Sequence, residues 1–197
     1  MDVETIEYKG YKIEIVQDEC GENPRDSSDP LGTIFYWHRQ YRLGGKRDIN
    51  ATHAYPDSDP AEVVRGLADG GEVLPLYCRD QDCALQTRLG TRAAWPHVGY
   101  IYCPKDKIRA EYGDLSANSR TTARRVLEAE VAEMSAYLTG EVYGWRVVGP
   151  DGSTVDSCWG YYGLDLNREY MLQCGHEAVD AAIAAVVEQH TLCACVI

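Results

Sequence analysis

Hydrophobic and polar positions alternate along residues 11–16: Tyr11, Ile13 and Ile15 fall on one side, Lys12 and Glu14 on the other. That is the period of a half-buried strand. A shorter apolar segment at 6–8 precedes it, and Lys9-Gly10 between the two fits a two-residue hairpin turn. The densest apolar run is 31–45, LGTIFYWHRQYRLGG. Thr33, Ile34, Phe35, Tyr36 and Trp37 are β-branched or aromatic, types that suit a pleated surface. A core strand is expected there. It gives way to His38, Arg39 and Arg42, interleaved with Tyr41 and Leu43, before Gly44-Gly45. Polar side chains leaving the end of a buried strand are held by a rigid frame, which is where sites are built.

Helical spacing governs two long stretches, about 119–139 and 166–190. In the first, Ala123, Leu127, Val131, Met134 and Leu138 make one apolar stripe, and Gly140 follows as a stop. In the second, Val179, Ile183, Val186 and His190 make the stripe, and Gly175 is a candidate kink. A shorter helix opens with Asp59 as cap and Pro60 at its first position, runs through Val63, Val64 and Leu67, and stops at Gly70-Gly71. Another follows Pro104 and ends at Gly113. Strands are expected at 73–78, where Pro75 marks a sheet edge or bulge, and at 98–103. A hairpin joins 141–148 to 154–159 across Pro150-Asp151-Gly152. Residues 18–30 and 48–57 have loop composition, and 79–96 shows no readable pattern. Hairpins mixed with helices, without regular crossovers or internal repeats, predict an α+β fold. Helices pack on a mostly antiparallel sheet in a single domain spanning 1–197.

Composition changes this picture in a few places. The chain has 197 residues and a net charge of −12. The longest basic cluster, Arg39, Arg42, Lys46 and Arg47, is short, so direct nucleic-acid binding is not expected. Fourteen tyrosines stand against one phenylalanine. Their rings are apolar and their tips polar, which places them at core boundaries or on a surface that touches something. Acidity and tyrosine together describe a face suited to a basic protein surface. The first ten residues, MDVETIEYKG, carry neither a basic region nor an apolar run, and no segment is long enough to cross a membrane. A cytoplasmic chain is expected, with its eight cysteines as thiols. The oligomeric state is left open.

Glu130 lies about 60° around its helix from Leu127, so it borders the apolar stripe. An unpaired carboxylate there is costly, and His38 and Arg39 are its candidate partners. The favoured role is an ion pair that fixes helix against sheet, ahead of acid or base work. The second dense run is Asp156-Ser157-Cys158-Trp159-Gly160-Tyr161-Tyr162-Gly163. Its glycines bracket large aromatics, which argues for a tight bend. Cys158 would need a base to act as a nucleophile, and no histidine is placed near it by sequence. A buried structural thiol is expected. Should the chain be an enzyme, the residues are His38, Arg39, Glu130 and Asp156, acting on a nucleotide or small phosphorylated ligand. Arginine would hold the phosphate and a carboxylate would move a proton. Four residues separate Cys78 from Cys83, and one separates Cys193 from Cys195. These are not the two close pairs of structural zinc. No metal and no cofactor are expected, and the phosphate-loop, HExxH and GxSxG patterns are absent.

Several runs resemble an uncharacterised family of proteins encoded by phages, prophages and other mobile elements. They are Asn23-Pro24-Arg25, Leu31-Gly32-Thr33, His38-Arg39-Gln40-Tyr41-Arg42-Leu43-Gly44, Val98-Gly99-Tyr100-Ile101-Tyr102, Tyr137-Leu138-Thr139-Gly140-Glu141-Val142-Tyr143-Gly144 and Asp156-Ser157-Cys158-Trp159-Gly160. The likeness covers roughly 11–172. One departure is a Cys-Pro-Trp-Asp-Ser-Gly stretch of the family, shortened here to Ala93-Ala94-Trp95-Pro96-His97 without its acid. The resemblance implies an accessory protein of a mobile element that acts by binding a host or defence-system protein. An inhibitor of a defence or nucleic-acid-handling complex is the expectation it carries.

Overall fold

The run from Ile34 to Trp37 is apolar or aromatic at every position because both of its faces are covered. In the computed structural model, which describes residues 2–38, 40–79, 81–88, 90 and 94–194, Ile34 and Tyr36 enter one core and Phe35 and Trp37 another. The elements follow in the order β1 (Asp2–Tyr8), β2 (Tyr11–Gln17), α1 (Pro24–Ser27), β3 (Thr33–Tyr36), β4 (Ile49–Asn50), α2 (Ala51–Ala54), α3 (Pro60–Ala68), β5 (Glu72–Cys78), β6 (Leu85–Gln86), β7 (His97–Cys103), α4 (Lys105–Tyr112), α5 (Ala117–Leu138), β8 (Val142–Val148), β9 (Thr154–Tyr162) and α6 (Leu164–Ala194). The fold is α+β, with helices packed on antiparallel sheets.

Length alone suggests one domain, but the contacts divide the chain into two compact units. Met1–Gly21 and Gly140–Ile197 form the terminal unit, and Glu22–Thr139 forms the inserted unit. The inserted unit is built on a sheet of order β4-β3-β7-β5-β6, antiparallel except where β3 meets β4. Ala123, Leu127, Val131 and Met134 of α5 cover one face, packing on Ile34, Leu74, Leu76 and Ile101. On the other face Val64 and Ala68 of α3 pack on Phe35 and Tyr102. Alternate residues of β3, β5 and β7 thus feed opposite cores. β6 reaches only Tyr77 and Cys78. Pro75, with no N–H to give, therefore sits where, among the described residues, the outer side of β5 has no paired strand.

In the terminal unit the sheet order is β1-β2-β8-β9, all antiparallel. The first hairpin closes as expected, with Tyr8 opposite Tyr11 and both Lys9 and Gly10 at positive φ. Met171 and Val179 of α6 pack on Ile13, Ile15, Trp145 and Val147.

Several expectations need correction. α5 starts at Ala117, two residues early, because Ser116 is its cap and its hydroxyl accepts the Ser119 N–H. The reason for Gly175 is close packing: a Cβ there would lie 2.5 Å from Ile13 Cγ2. The buried line of α6 runs through Met171, Gly175 and Val179, and Val186 is exposed. The His190 side chain, Cys195 and Arg39 lie outside what the structure describes. Cys158 is exposed, not buried, because residues 151–160 are exposed throughout. Among the described residues no helix is long and apolar enough to cross a membrane.

Candidate functional site

Three clusters hold the chemistry-bearing residues, two in the inserted unit and one in the terminal unit. The first is built on Arg25. Asn23 caps α1 by accepting the Arg25 N–H at 2.9 Å, which starts the helix and turns the Arg25 side chain inward, where it is 3 % exposed. Its guanidinium grips Asp48 in a bidentate pair, Nε to Oδ2 at 2.6 Å and Nη2 to Oδ1 at 2.9 Å. Nη2 also donates to Gly32 O at 2.7 Å, and Nη1 to Glu130 Oε2 at 3.1 Å.

Two carboxylates on one guanidinium leave a net negative charge, which main-chain donors disperse. Asp48 accepts the N–H groups of Ile34 and Gly45 at 2.7 and 2.6 Å. Glu130, 12 % exposed, accepts those of Leu31 and Gly32. Burial by itself would lower the guanidinium pKa; Asp48 and then Glu130 outweigh it, and the net shift is upward. The arrangement ties α5, the entry to β3 and the 44–48 loop to one side chain.

Glu130 is therefore paired as its position on the helix demands, but its cation is Arg25 and not His38, and Arg39 lies outside the described residues. Arg25 was legible only as a member of the Asn23-Pro24-Arg25 run. Asp48 stood in a stretch of loop composition. Both oxygens of Glu130 are engaged by donors, so it works as a structural brace.

His38 follows β3 and belongs to the second cluster. Trp37 N–H bonds Val98 O on one side of β7, and Cys78 N–H bonds Pro96 O on the other. His38 and Cys78 thus flank the start of β7. The donor atoms of His38, Cys78 and Cys83 all lie within 4.8 Å of one another. Both sulfurs are buried, 3.1 Å apart. The His38 Nδ1 accepts the Tyr41 and Gln40 N–H groups at 3.0 and 3.3 Å. Beside this, the His97 ring meets Trp37 and Tyr100 edge-on, with centroids 5.1 and 4.8 Å apart. Counting cysteines along the chain could not find this trio, because its third member arrives from another strand.

The third cluster comprises β9 and the first turns of α6. Among the described residues β9 pairs only with β8 and ends the sheet order. The glycine at 160 is a bulge: Gly144 faces Trp159 and Tyr143 faces Tyr161, with Gly160 unpaired at φ +86°. The bulge sends Tyr161 to the core side, where its OH accepts the Trp145 Nε1–H at 3.2 Å. Trp159 instead lies over Gly144, where a Cβ would come within 2.3 Å of its ring, yet it remains 46 % exposed. Val155, Leu166 and Tyr170 are also exposed. Asp156 is exposed too and accepts its neighbour's N–H, from Ser157 at 2.8 Å.

Burial first, and then the hydrogen bond with Cys158, push the Tyr161 phenol up to about 12. A folded-state pKa above the unfolded value means stability is full below pH 10 and falls as pH rises toward 12. Alkaline absorbance titration is expected to show Tyr161 ionising late, and Tyr161→Phe should remove that component.

Charge is unevenly shared between the units. The terminal unit carries 14 carboxylates and 4 Lys/Arg, a net of −10, whereas the inserted unit carries 17 and 15, a net of −2. Of the four residues named for an enzyme, His38 and Glu130 sit in separate hydrogen-bond networks of one unit and Asp156 belongs to the other. The chain matches no protein-family model, no curated protein and no solved structure.

Proposed function

We propose that the protein is a cytoplasmic accessory protein of a phage or mobile element that acts by binding a basic host protein through its terminal unit. The observation that carries this is the edge strand β9, exposed from Thr154 to Gly160 in the unit that holds nearly all of the net charge. An open edge offers main-chain donors and acceptors to an extended segment. Trp159, fixed over Gly144 but accessible, supplies a rigid anchor at low entropic cost. The carboxylates steer a cationic partner and reject acidic ones. Engagement of a defence or nucleic-acid-handling complex agrees with this charge, because such complexes carry the basic surfaces that acidic faces compete for. The reading also rests on the sequence resemblance to mobile-element proteins.

The test is capture from host extract with the wild-type chain and with Trp159→Ala and Val155→Lys, eluted by salt and identified by mass. A basic partner is expected on wild type, released by moderate salt and lost from both variants. For the purified pair, Trp159→Ala should cost about 2 kcal/mol or more, roughly thirtyfold in Kd. Identical captured sets for wild type and both variants would remove β9 as the binding surface.

A further inference from the structure

We infer that His38, Cys78 and Cys83 form a binding site for one thiophilic divalent metal ion, zinc being the ion that suits the donor set. Two stretches distant in sequence deliver these donors to one point: His38 just beyond β3, and Cys78, the last residue of β5, with Cys83 from the turn after it. The turn is specifically shaped. Cys83 N–H bonds Arg79 O, Arg79 N–H bonds Ala84 O, both at 2.9 Å, and Cys83 adopts φ +62°. Few residues other than glycine hold that conformation, and here it folds the second thiol back against the first. Cys103 is a buried thiol outside the trio.

The distances agree with coordination. Tetrahedral zinc has Zn–S of about 2.3 Å and Zn–N of about 2.0–2.1 Å, which sets sulfur–sulfur and sulfur–nitrogen separations of about 3.5–3.8 Å. The trio lies inside 4.8 Å, and the sulfurs need to part by only about 0.6 Å from 3.1 Å. Two thiolates and an imidazole favour zinc over hard cations such as magnesium or calcium. On binding, each thiol gives its proton to solvent as its sulfur bonds the metal; nothing is oxidised or reduced. Three protein donors leave the fourth position to water or an external ligand.

Coordination has a local consequence. A neutral imidazole has one ring-nitrogen lone pair, and in the structure that lone pair, on Nδ1, serves the Tyr41 and Gln40 N–H groups. If the metal takes Nδ1, it displaces them. If it takes Nε2, the proton moves to Nδ1, which then cannot accept. Either way the metal and the Tyr41 N–H compete for His38, so loading the site releases the Tyr41 N–H.

The experiment uses the full chain, reduced and stripped with chelator, then titrated with Zn2+ or Co2+ alone. Expected are one metal per chain by native mass, cobalt–thiolate absorption with tetrahedral d–d bands, affinity that rises with pH, and faster amide exchange at Tyr41 on loading. Cys83→Ser should abolish the bands, and His38→Gln should weaken binding by more than about tenfold, the lower end of what an outer-shell partner costs. Cys103→Ser, also a buried-thiol change, should leave them intact and controls for folding. Absence of cobalt bands in the folded wild-type chain would overturn the proposal. So would bands retained in Cys83→Ser, or a Cys78–Cys83 disulfide that survives the reductant and excludes metal.

Discussion

Replacing Arg25 with methionine is expected to destabilise the inserted unit by about 3–5 kcal/mol, because Asp48 and Glu130 would keep their charges with no counterion. Asp48 is only 2 % exposed and cannot turn to water. Urea denaturation combined with hydrogen exchange over residues 22–139 measures the loss where it falls. Asp48→Asn, nearly isosteric, should lose almost as much. Each Asp48 oxygen faces two donors, Arg25 and a main-chain N–H, so the amide NH2 meets donors whichever way it is turned. Swapping the whole triad for apolar residues, which often rescues a buried ion pair, should fail here. The N–H groups of Leu31, Gly32, Ile34 and Gly45 would lose their acceptors as well. Arg47→Ala is the control. Its pair with Asp29 is solvent-exposed on both sides, and the change should stay within about 0.5 kcal/mol. A wild-type-like midpoint for Arg25→Met would show that the triad braces nothing.

The triad also accounts for three short runs along the sequence. Asn23 caps the helix that presents Arg25, and its Nδ2 donates to Gly44 O at 3.4 Å. Gly32 donates its N–H to Glu130, and its carbonyl accepts from Arg25 Nη2. A Cβ on Gly44 would lie 2.5 Å from Asp48 Cβ. The runs at 23–25, 31–33 and 43–44 are thus one bracket read in three pieces. They carry architecture.

What the sequence revealed divides along physical lines. Period and punctuation are local, so the first hairpin, α3, β7, α5 and the second hairpin were legible from side-chain alternation, caps and glycines. The need for a partner at Glu130 was legible too, from helix geometry and the cost of a bare charge. The identity of that partner was not, because Arg25 sits 105 residues away in a stretch of loop composition. The same limit hid the approach of His38 to Cys78 and Cys83. Exposure of Cys158 was hidden for another reason. A strand of Val155, Cys158 and Trp159 has core composition, and only its place at the end of the sheet order leaves it uncovered. The division into two units was likewise invisible, because the boundaries at residues 21 and 140 fall in an ordinary loop and at a helix stop, neither of which differs in composition from a connection inside one domain.

Gly70-Gly71 reads in the sequence as a single stop signal, yet the two positions are expected to respond very differently to alanine. Gly70 follows the α3 cap at φ +77° with open space where a Cβ would stand. Alanine there meets only the left-handed backbone preference, a cost of about 1 kcal/mol. A Cβ on Gly71 would fall 2.0 Å from Cys103 O, 2.7 Å from Lys105 N and 2.8 Å from the Pro104 carbonyl carbon. All three are main-chain atoms, at the junction where β7 hands over to α4, and no rotamer change moves them. β5 must shift away from β7 or the junction must rebuild, so Gly71→Ala should cost about 3 kcal/mol or more. Exchange protection should fall first in β5 and β7, whose pairing begins at Glu72 opposite Cys103. Equal, small losses for the two alanines in urea melts would mean that β5 does not pass that close to the end of β7. The strand that carries Cys78 would then be placed differently from the one that brings it beside His38.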